Sequence, residues 1–234
     1  IVDMHAAYPS DSTSSSPPST TDLAARELGL DVVWYLDPLA EVLSVPVFAT
    51  VLDLAHRLHP FFPEVSTRGW KWDARENHYR SVLPRAARIF TGTQTGKDQI
   101  IRCYGVNPAN VVVNPFPTSK FEEPAEPVQD EEVLAEYSLA PGYLFYPAQF
   151  WPHKNHVTLL KALSLLEKKH ELLPELVLTG TDHGNLAHVR QVAGDLGLEQ
   201  RVHFPGFVPG SHMKTLYRHA AALVFPSFFG PDNL

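Results

Sequence analysis

Residues 143–155, YLFYPAQFWPHKN, run from an apolar strand pattern through a polar loop to a helix that opens beside Lys154. A helix start exposes N–H groups and the positive end of its dipole, and a lysine there adds a full charge, so this spacing reads as an anion site suited to phosphate. The other reading is a solvated lysine at a helix start. Two later segments, FPGFVP (204–209) and PSFFGPDNL (226–234), end further strand-like runs in loops of the same polar, Gly/Pro-rich kind. Other chemistries have less to stand on. The pairs His56/His59 and His153/His156 lack a third ligand or a carboxylate pattern, so no zinc is expected. There is no Ser/His/Asp order, no Gly-x-Ser-x-Gly, no placed pair of carboxylates and no G-x-G-x-x-G dinucleotide fingerprint.

Loops of this kind need a sheet to hold them. In the first half DVVWYL (31–36), VPVFATVLDL (45–54), ARIFTGT (87–93) and VVVNPF (111–116) read as strands, with TGKDQIIRCYG (95–105) as a helix between the last two. The acidic, proline-bearing FEEPAEPVQDEEVLAE (121–136) reads as an exposed connection. Residues 1–125 are therefore assigned to one unit, 126–138 to an acidic linker and 139–234 to a second unit. The second unit alternates strand YLFYP (143–147), helix 156–170, strand ELVLTG (175–180), helix 185–197, strand RVHFPG (201–206), helix 212–220 and strand ALVFPS (222–227). Leu159, Leu160, Leu163 and Leu166 fall on one face of its first helix, and Tyr143, Phe145, Tyr146 and Phe150 read mainly as core. Trp151 stands in the loop itself, as a wedge that stiffens it or as a ring over a ligand. The fold class expected is α/β with two Rossmann-like domains, whose ligands bind beyond the carboxyl ends of the strands. The loops QFWPHK, TGTDHGN, GFVPG and SFFGPDN must then converge on one edge.

The chain has 234 residues, 44% hydrophobic and 19% charged, with a net charge of −7. That balance argues against nucleic acid as a partner, leaves room for peripheral membrane association, and comes with no apolar run of bilayer length. The single cysteine, Cys103, fits a reducing, cytoplasmic address and excludes a disulfide framework. The sequence starts at Ile1, and residues 9–21 are rich in Ser, Thr and Pro, which reads as a mobile segment.

The order of motifs resembles the retaining glycosyltransferases of GT-B architecture, family 4, which include mannosyl- and glucosyltransferases. The matching pieces are ATVLDLAHRLHPFFP (49–63), FYPAQFWPHKNHVTLLKAL (145–163), LVLTG (176–180), VHFPGFVP (202–209) and LYRHAAALVFPSFFGPDNL (216–234), within residues 31–234. The resemblance implies transfer of a hexose, mannose or glucose, from a nucleoside diphosphate sugar to a sugar or lipid-linked acceptor. The sugar nucleotide is a substrate and no cofactor is implied. It implies a donor site of Gln149, Lys154, Asn155, Gly180, Phe207, Val208, Gly230, Asp232, Asn233 and Leu234. Lys154 would contact the diphosphate, and the backbone around Phe207 and Val208 would meet the base. On the acceptor side Asp53 and His56 are the candidates for positioning the acceptor hydroxyl, with an Asp that caps the next turn as the plainer reading.

Three positions depart from the family pattern. Gln149 stands where an arginine is usual, Gly230 where the first of two glutamates is usual, and Leu52 where a histidine precedes Asp53. Together with family segments expected before Ile1 and after Leu234, these departures support a second reading: a non-catalytic GT-B-like module that binds nucleotide or protein. A chain lacking those segments is also expected to be aggregation-prone by itself.

Overall fold

Short β-branched and aromatic runs in this chain become strands, and the amphipathic runs between them become the crossovers that parallel pairing requires. The computed structural model describes residues 17–66, 70–115 and 129–229. In the first unit β1 (Val33–Trp34), β2 (Val47–Thr50), β3 (Arg88–Thr91) and β4 (Val111–Val113) form a parallel sheet in that order. Val33 pairs with Val47, Ala49 with Ile89 and Phe90 with Val112. Its helices are α1 (Thr20–Glu27), α2 (Ala55–Leu58), α3 (Pro63–Ser66), α4 (Trp72–Val82) and α5 (Gln94–Tyr104). Alternate residues Val47, Ala49 and Val51 point into one core with Tyr79, Ile89 and Ile100.

The start of α5 is set by local chemistry. Thr93 Oγ1 accepts the Gly96 N–H at 2.9 Å, an N-cap bond. A Cβ on Gly96 would lie 2.5 Å from Thr91 Oγ1, so glycine lets the first turn of α5 sit against the end of β3.

The second unit holds β5 (Leu144–Pro147), β6 (Leu176–Thr179), β7 (Val202–Gly206) and β8 (Ala222–Leu223), all parallel, in the order β7-β6-β5-β8. Its helices are α6 (Asp130–Glu136), α7 (His156–His170), α8 (Leu186–Asp195) and α9 (Gly210–His219). The chain steps outward from β5 to β7, then returns to place β8 on the other side of β5. That reversal makes a topological switch point between β5 and β8, the kind of place at which open α/β sheets bind their ligands.

The expected strands and the helices of the second unit are present, with their ends shifted by a few residues. Three readings differ. The stretch read as an exposed acidic connection contains α6, whose Val133 and Leu134 are buried and whose Asp130 accepts from Thr215 Oγ1 and His219 Nε2 of α9. Two apolar residues one position apart were enough to dock it once α9 supplied the partners. At the end of the Ser/Thr/Pro-rich stretch Ser19 caps α1, so Thr20 and Thr21 are helical, while residues 9–16 lie outside the described residues. On α7 the buried stripe is His156, Leu160, Leu163 and Ser164. Leu166 is exposed, because six residues carry it roughly 120° round the helix from Leu160.

Candidate active site

Loops that leave β5, β6 and β7 meet at the carboxyl edge of the second sheet. The Gly180 N–H donates to the Gly206 carbonyl at 2.8 Å, and the Phe150 N–H to the Thr181 carbonyl at 3.0 Å. Gly180 has φ +143°, and a Cβ there would lie 2.5 Å from the Ala148 carbonyl oxygen, so the approach of these loops requires glycine. Phe207 projects with 74% of its surface exposed, whereas Val208 is buried in the core. Of that pair, the Phe207 side chain is the accessible one.

In the loop after β5, residues Pro152–Lys154 make a 3-10 turn, Asn155 takes a left-handed φ of +59°, and α7 follows. Trp151 stacks flat on His183, with ring centroids 4.0 Å apart and planes 13° from parallel. Its Nε1–H donates to Gln149 Oε1 at 2.9 Å, which leaves the Gln149 amide N–H groups as donors for a ligand. The Tyr146 hydroxyl donates to the Lys154 carbonyl at 2.9 Å and meets Ser227 Oγ at 2.6 Å. Asn155 Nδ2 donates to the Pro226 carbonyl, and the Phe228 N–H to that of His153, both at 2.9 Å. The two sides of the switch point are thus tied together.

The anion site read from the sequence rested partly on free N–H groups beside Lys154. Those of Lys154 and Asn155 are spent on Trp151 and Pro152 carbonyls, and that of His153 on Glu64 Oε1 at 3.0 Å. The anion reading of this turn therefore rests on the charge of the Lys154 side chain and on the start of α7.

A cavity of about 680 Å³ opens between the units, walled by the loops that follow β2, β3 and β8. Asp53, His59, Thr93, Gly96, Phe228 and Phe229 are among its lining residues, whereas Lys154 and Gln149 are not. Asp53 Oδ1 accepts the Ala55 N–H at 2.7 Å and Arg75 Nη2 at 2.8 Å. Among the described residues both bonds fall on Oδ1, which leaves Oδ2 as the second oxygen of a cavity-lining carboxylate. Asp53 thus caps the turn that opens α2 and also lines the cavity.

Of the two acceptor-side candidates, only Asp53 reaches this cavity. His56 is fully buried, with Nε2 3.3 Å from Glu76 Oε2 and its ring against Trp72 and Tyr79. Burial pulls it down to about 4, the Arg75 charge adding to the effect, so the ring is neutral at neutral pH. Glu76 also binds Arg57, Arg80 and the Tyr104 hydroxyl, and the Arg57 guanidinium leads the causes that hold its carboxyl at about 2. This is a buried core network, in which Glu76 is fully engaged while His56 Nδ1 has no hydrogen-bond partner among the described residues.

His59, which was read only as half of a histidine pair, lies in the cavity wall. Its ring stacks on Phe229 at 4.6 Å and 7°, and the other face of the contact set continues from Phe229 to His153 at 4.4 Å and 17°. Phe62 packs on Phe228 and Phe229. Short-range sequence patterns carried no signal for these contacts, which join residues more than 70 positions apart. Gly230, Asp232, Asn233 and Leu234 lie outside the described residues.

Residues 136–231 match the sequence model of the family described as Glycosyl transferases group 1. The O-antigen chain mannosyltransferase B of Escherichia coli is 28% identical over 155 residues, 66% of this chain and 41% of that protein. The O-antigen chain mannosyltransferase RfbU of Salmonella typhimurium is 27% identical over 190 residues, 79% of this chain and 47% of that protein. The chain thus spans less than half the length of these relatives. The solved structure of Anabaena Alr3699/HepE, a complex with UDP and glucose, superposes with a TM-score of 0.66 at 16% identity, covering 91% of this chain and 57% of that one. With its two parallel-sheet units and its group 1 match in the second, the chain has the GT-B glycosyltransferase fold.

Proposed function

We propose that the chain acts as a retaining family 4 hexosyltransferase, moving mannose or glucose from a nucleoside diphosphate sugar to a sugar or lipid-linked acceptor. The observation that carries this reading is the placement of two loop sets. The switch point between β5 and β8 bears Lys154, and the loops after β2, β3 and β8 enclose a cavity bearing Asp53. The two O-antigen relatives favour mannose, and the nucleotide in the Anabaena structure supports a nucleoside diphosphate as leaving group.

In this reading the bond from C1 of the hexose to the diphosphate breaks, and the acceptor oxygen bonds C1 on the same face. The acceptor proton passes to the departing phosphate oxygen. Lys154 and the start of α7 offset the charge that grows on the leaving group, Gln149 donates hydrogen bonds to it, and Asp53 Oδ2 orients the acceptor hydroxyl. Gly180 keeps the loops close enough to share one ligand, and Phe207 offers an exposed ring and backbone at the base. Association with the cytoplasmic face of a membrane suits a lipid-linked acceptor. The test is calorimetric titration of the protein and of Lys154→Ala with GDP and UDP. Binding to one nucleotide, weakened about ten- to hundredfold by the substitution, is the expected result. Equal binding by both proteins would remove Lys154 from the site.

A further inference from the structure

The turn that presents Lys154 is held from the other unit. Glu64, on α3, accepts the His153 backbone N–H at 3.0 Å and the His153 Nδ1–H at 2.7 Å, both on Oε1. The Glu64 and His153 side chains are 5% and 12% exposed. Glu64 Oε2 has no hydrogen bond among the described residues, so Oε1 carries the whole attachment. A carboxylate cannot donate, which requires the proton on Nδ1 of His153. Burial lowers the His153 value from that of ordinary histidine, with Glu64 and Asp53 opposing and Lys154 assisting.

His153 is next to Lys154 within the same 3-10 turn, its carbonyl accepts from Phe228, and its ring lies on Phe229. One side chain of the first unit therefore grips the residue that links the loop after β5 to the loop after β8. No comparable double bond from a single carboxylate spans the units elsewhere among the described residues.

We propose that Glu64 is a positioning residue: by taking both His153 donors it fixes the turn that carries Lys154 and so couples the acceptor-side unit to the binding of the donor diphosphate. This rests on the reading of Lys154 as a diphosphate contact, but its structural half can be measured without nucleotide. Losing two hydrogen bonds frees the turn rather than the protein, because Tyr146, Asn155 and Phe228 still hold its flanks.

The experiment compares the protein with Glu64→Ala and Glu64→Gln, each checked for native circular dichroism. Hydrogen exchange at residues 150–156 and the imidazole nitrogen shifts of His153 report the turn, and titration with GDP and UDP reports the site. In Glu64→Ala the amides of the turn should exchange about tenfold faster, His153 should lose its Nδ1–H preference, and nucleotide affinity should fall about three- to tenfold. Glu64→Gln retains an acceptor at the same place and should restore all three to within about twofold. Unchanged exchange and tautomer in Glu64→Ala would overturn the proposal. Tighter nucleotide binding in Glu64→Ala would also overturn it, since the carboxylate would then be competing with phosphate for the His153 N–H. If the unaltered protein binds neither nucleotide, the diphosphate reading of Lys154 fails and with it the proposed coupling, while exchange and tautomer still decide whether Glu64 holds the turn.

Discussion

Arg75 Nη2 lies 2.8 Å from both the carbonyl oxygen and Oδ1 of Asp53. The guanidinium also lies against the rings of Trp70 and Tyr79, at 5.3 and 5.6 Å. A cavity-lining carboxylate is thereby fixed from behind, with its bonds among the described residues on one oxygen. Asp53→Asn preserves the acceptor for Ala55 and Arg75 but leaves a buried guanidinium without its counter-charge. We expect a loss of about 1 to 2 kcal/mol in stability, seen as a melting point lower by roughly 3 to 6 °C. Transfer to acceptor should fall about ten- to hundredfold with nucleotide affinity unchanged. An equal fall in nucleotide affinity would assign Asp53 to the fold alone.

Gly180→Ala tests whether the loops after β5 and β6 must touch. Alanine is strained at φ +143°, and its Cβ would meet the backbone of Ala148 and Gln149 inside 3 Å. Neither neighbour is a flexible side-chain tip that can step aside. The expected cost is about 2 to 4 kcal/mol, with nucleotide binding lost at temperatures where the rest of the protein still melts cooperatively. Wild-type melting and binding in this variant would show that the loops can separate freely.

Acid should destabilise the protein through its neutral buried histidines. His156 is fully buried against Phe150 and Tyr146, and burial pulls it from 6.5 to about 4, as it does His56. The unfolded chain takes up these protons as pH falls through 6.5, whereas the folded chain does so only near 4. Stability is therefore complete above about 6.5 and declines down to about 4, by on the order of 3 kcal/mol per histidine. Glu76 extends the loss from 4.5 toward 2, since its folded carboxyl stays ionised longer than its unfolded one. His56 shares a bond with Glu76, so His156→Phe is the cleaner probe. Chemical denaturation at pH 7.0 and 5.0 should show a smaller acid loss in that variant, and an identical loss would place the titration elsewhere.

Strand positions were readable because their signals are local. Runs such as LFYP and LVLT admit few alternatives, and Gly180 marks the loop after β6 while Gly206 closes β7. The same locality explains what was missed. His56 and His59 are three residues apart, and no pattern within the segment says that one turns toward Glu76 and the other toward Phe229. Glu64 and His153 are 89 positions apart, and Arg75 is 22 from Asp53. Such pairs are decided by how α2, α3 and α4 lie over the sheets, which short-range periodicity does not encode. Helix α6 escaped for a related reason: its acidic composition suits solvent, and its docking depends on Thr215, Arg218 and His219 far along the chain.

Gln149, which stands where the resembled family usually has an arginine, is the position at which the proposed donor site can be tuned. Its side chain is exposed, and Trp151 Nε1–H holds its oxygen, so the amide group is oriented before any ligand arrives. Trp151→Phe keeps a ring on His183 and deletes only that bond. Nucleotide affinity should fall about two- to tenfold, the worth of one neutral hydrogen bond, with little change in melting. Gln149→Arg exchanges the oriented neutral donor for a charge-assisted one, roughly twice as strong, and should tighten nucleotide binding about three- to tenfold with a steeper salt dependence. Weaker binding in Gln149→Arg would mean that the Trp151 bond, and not charge, sets what this loop can hold.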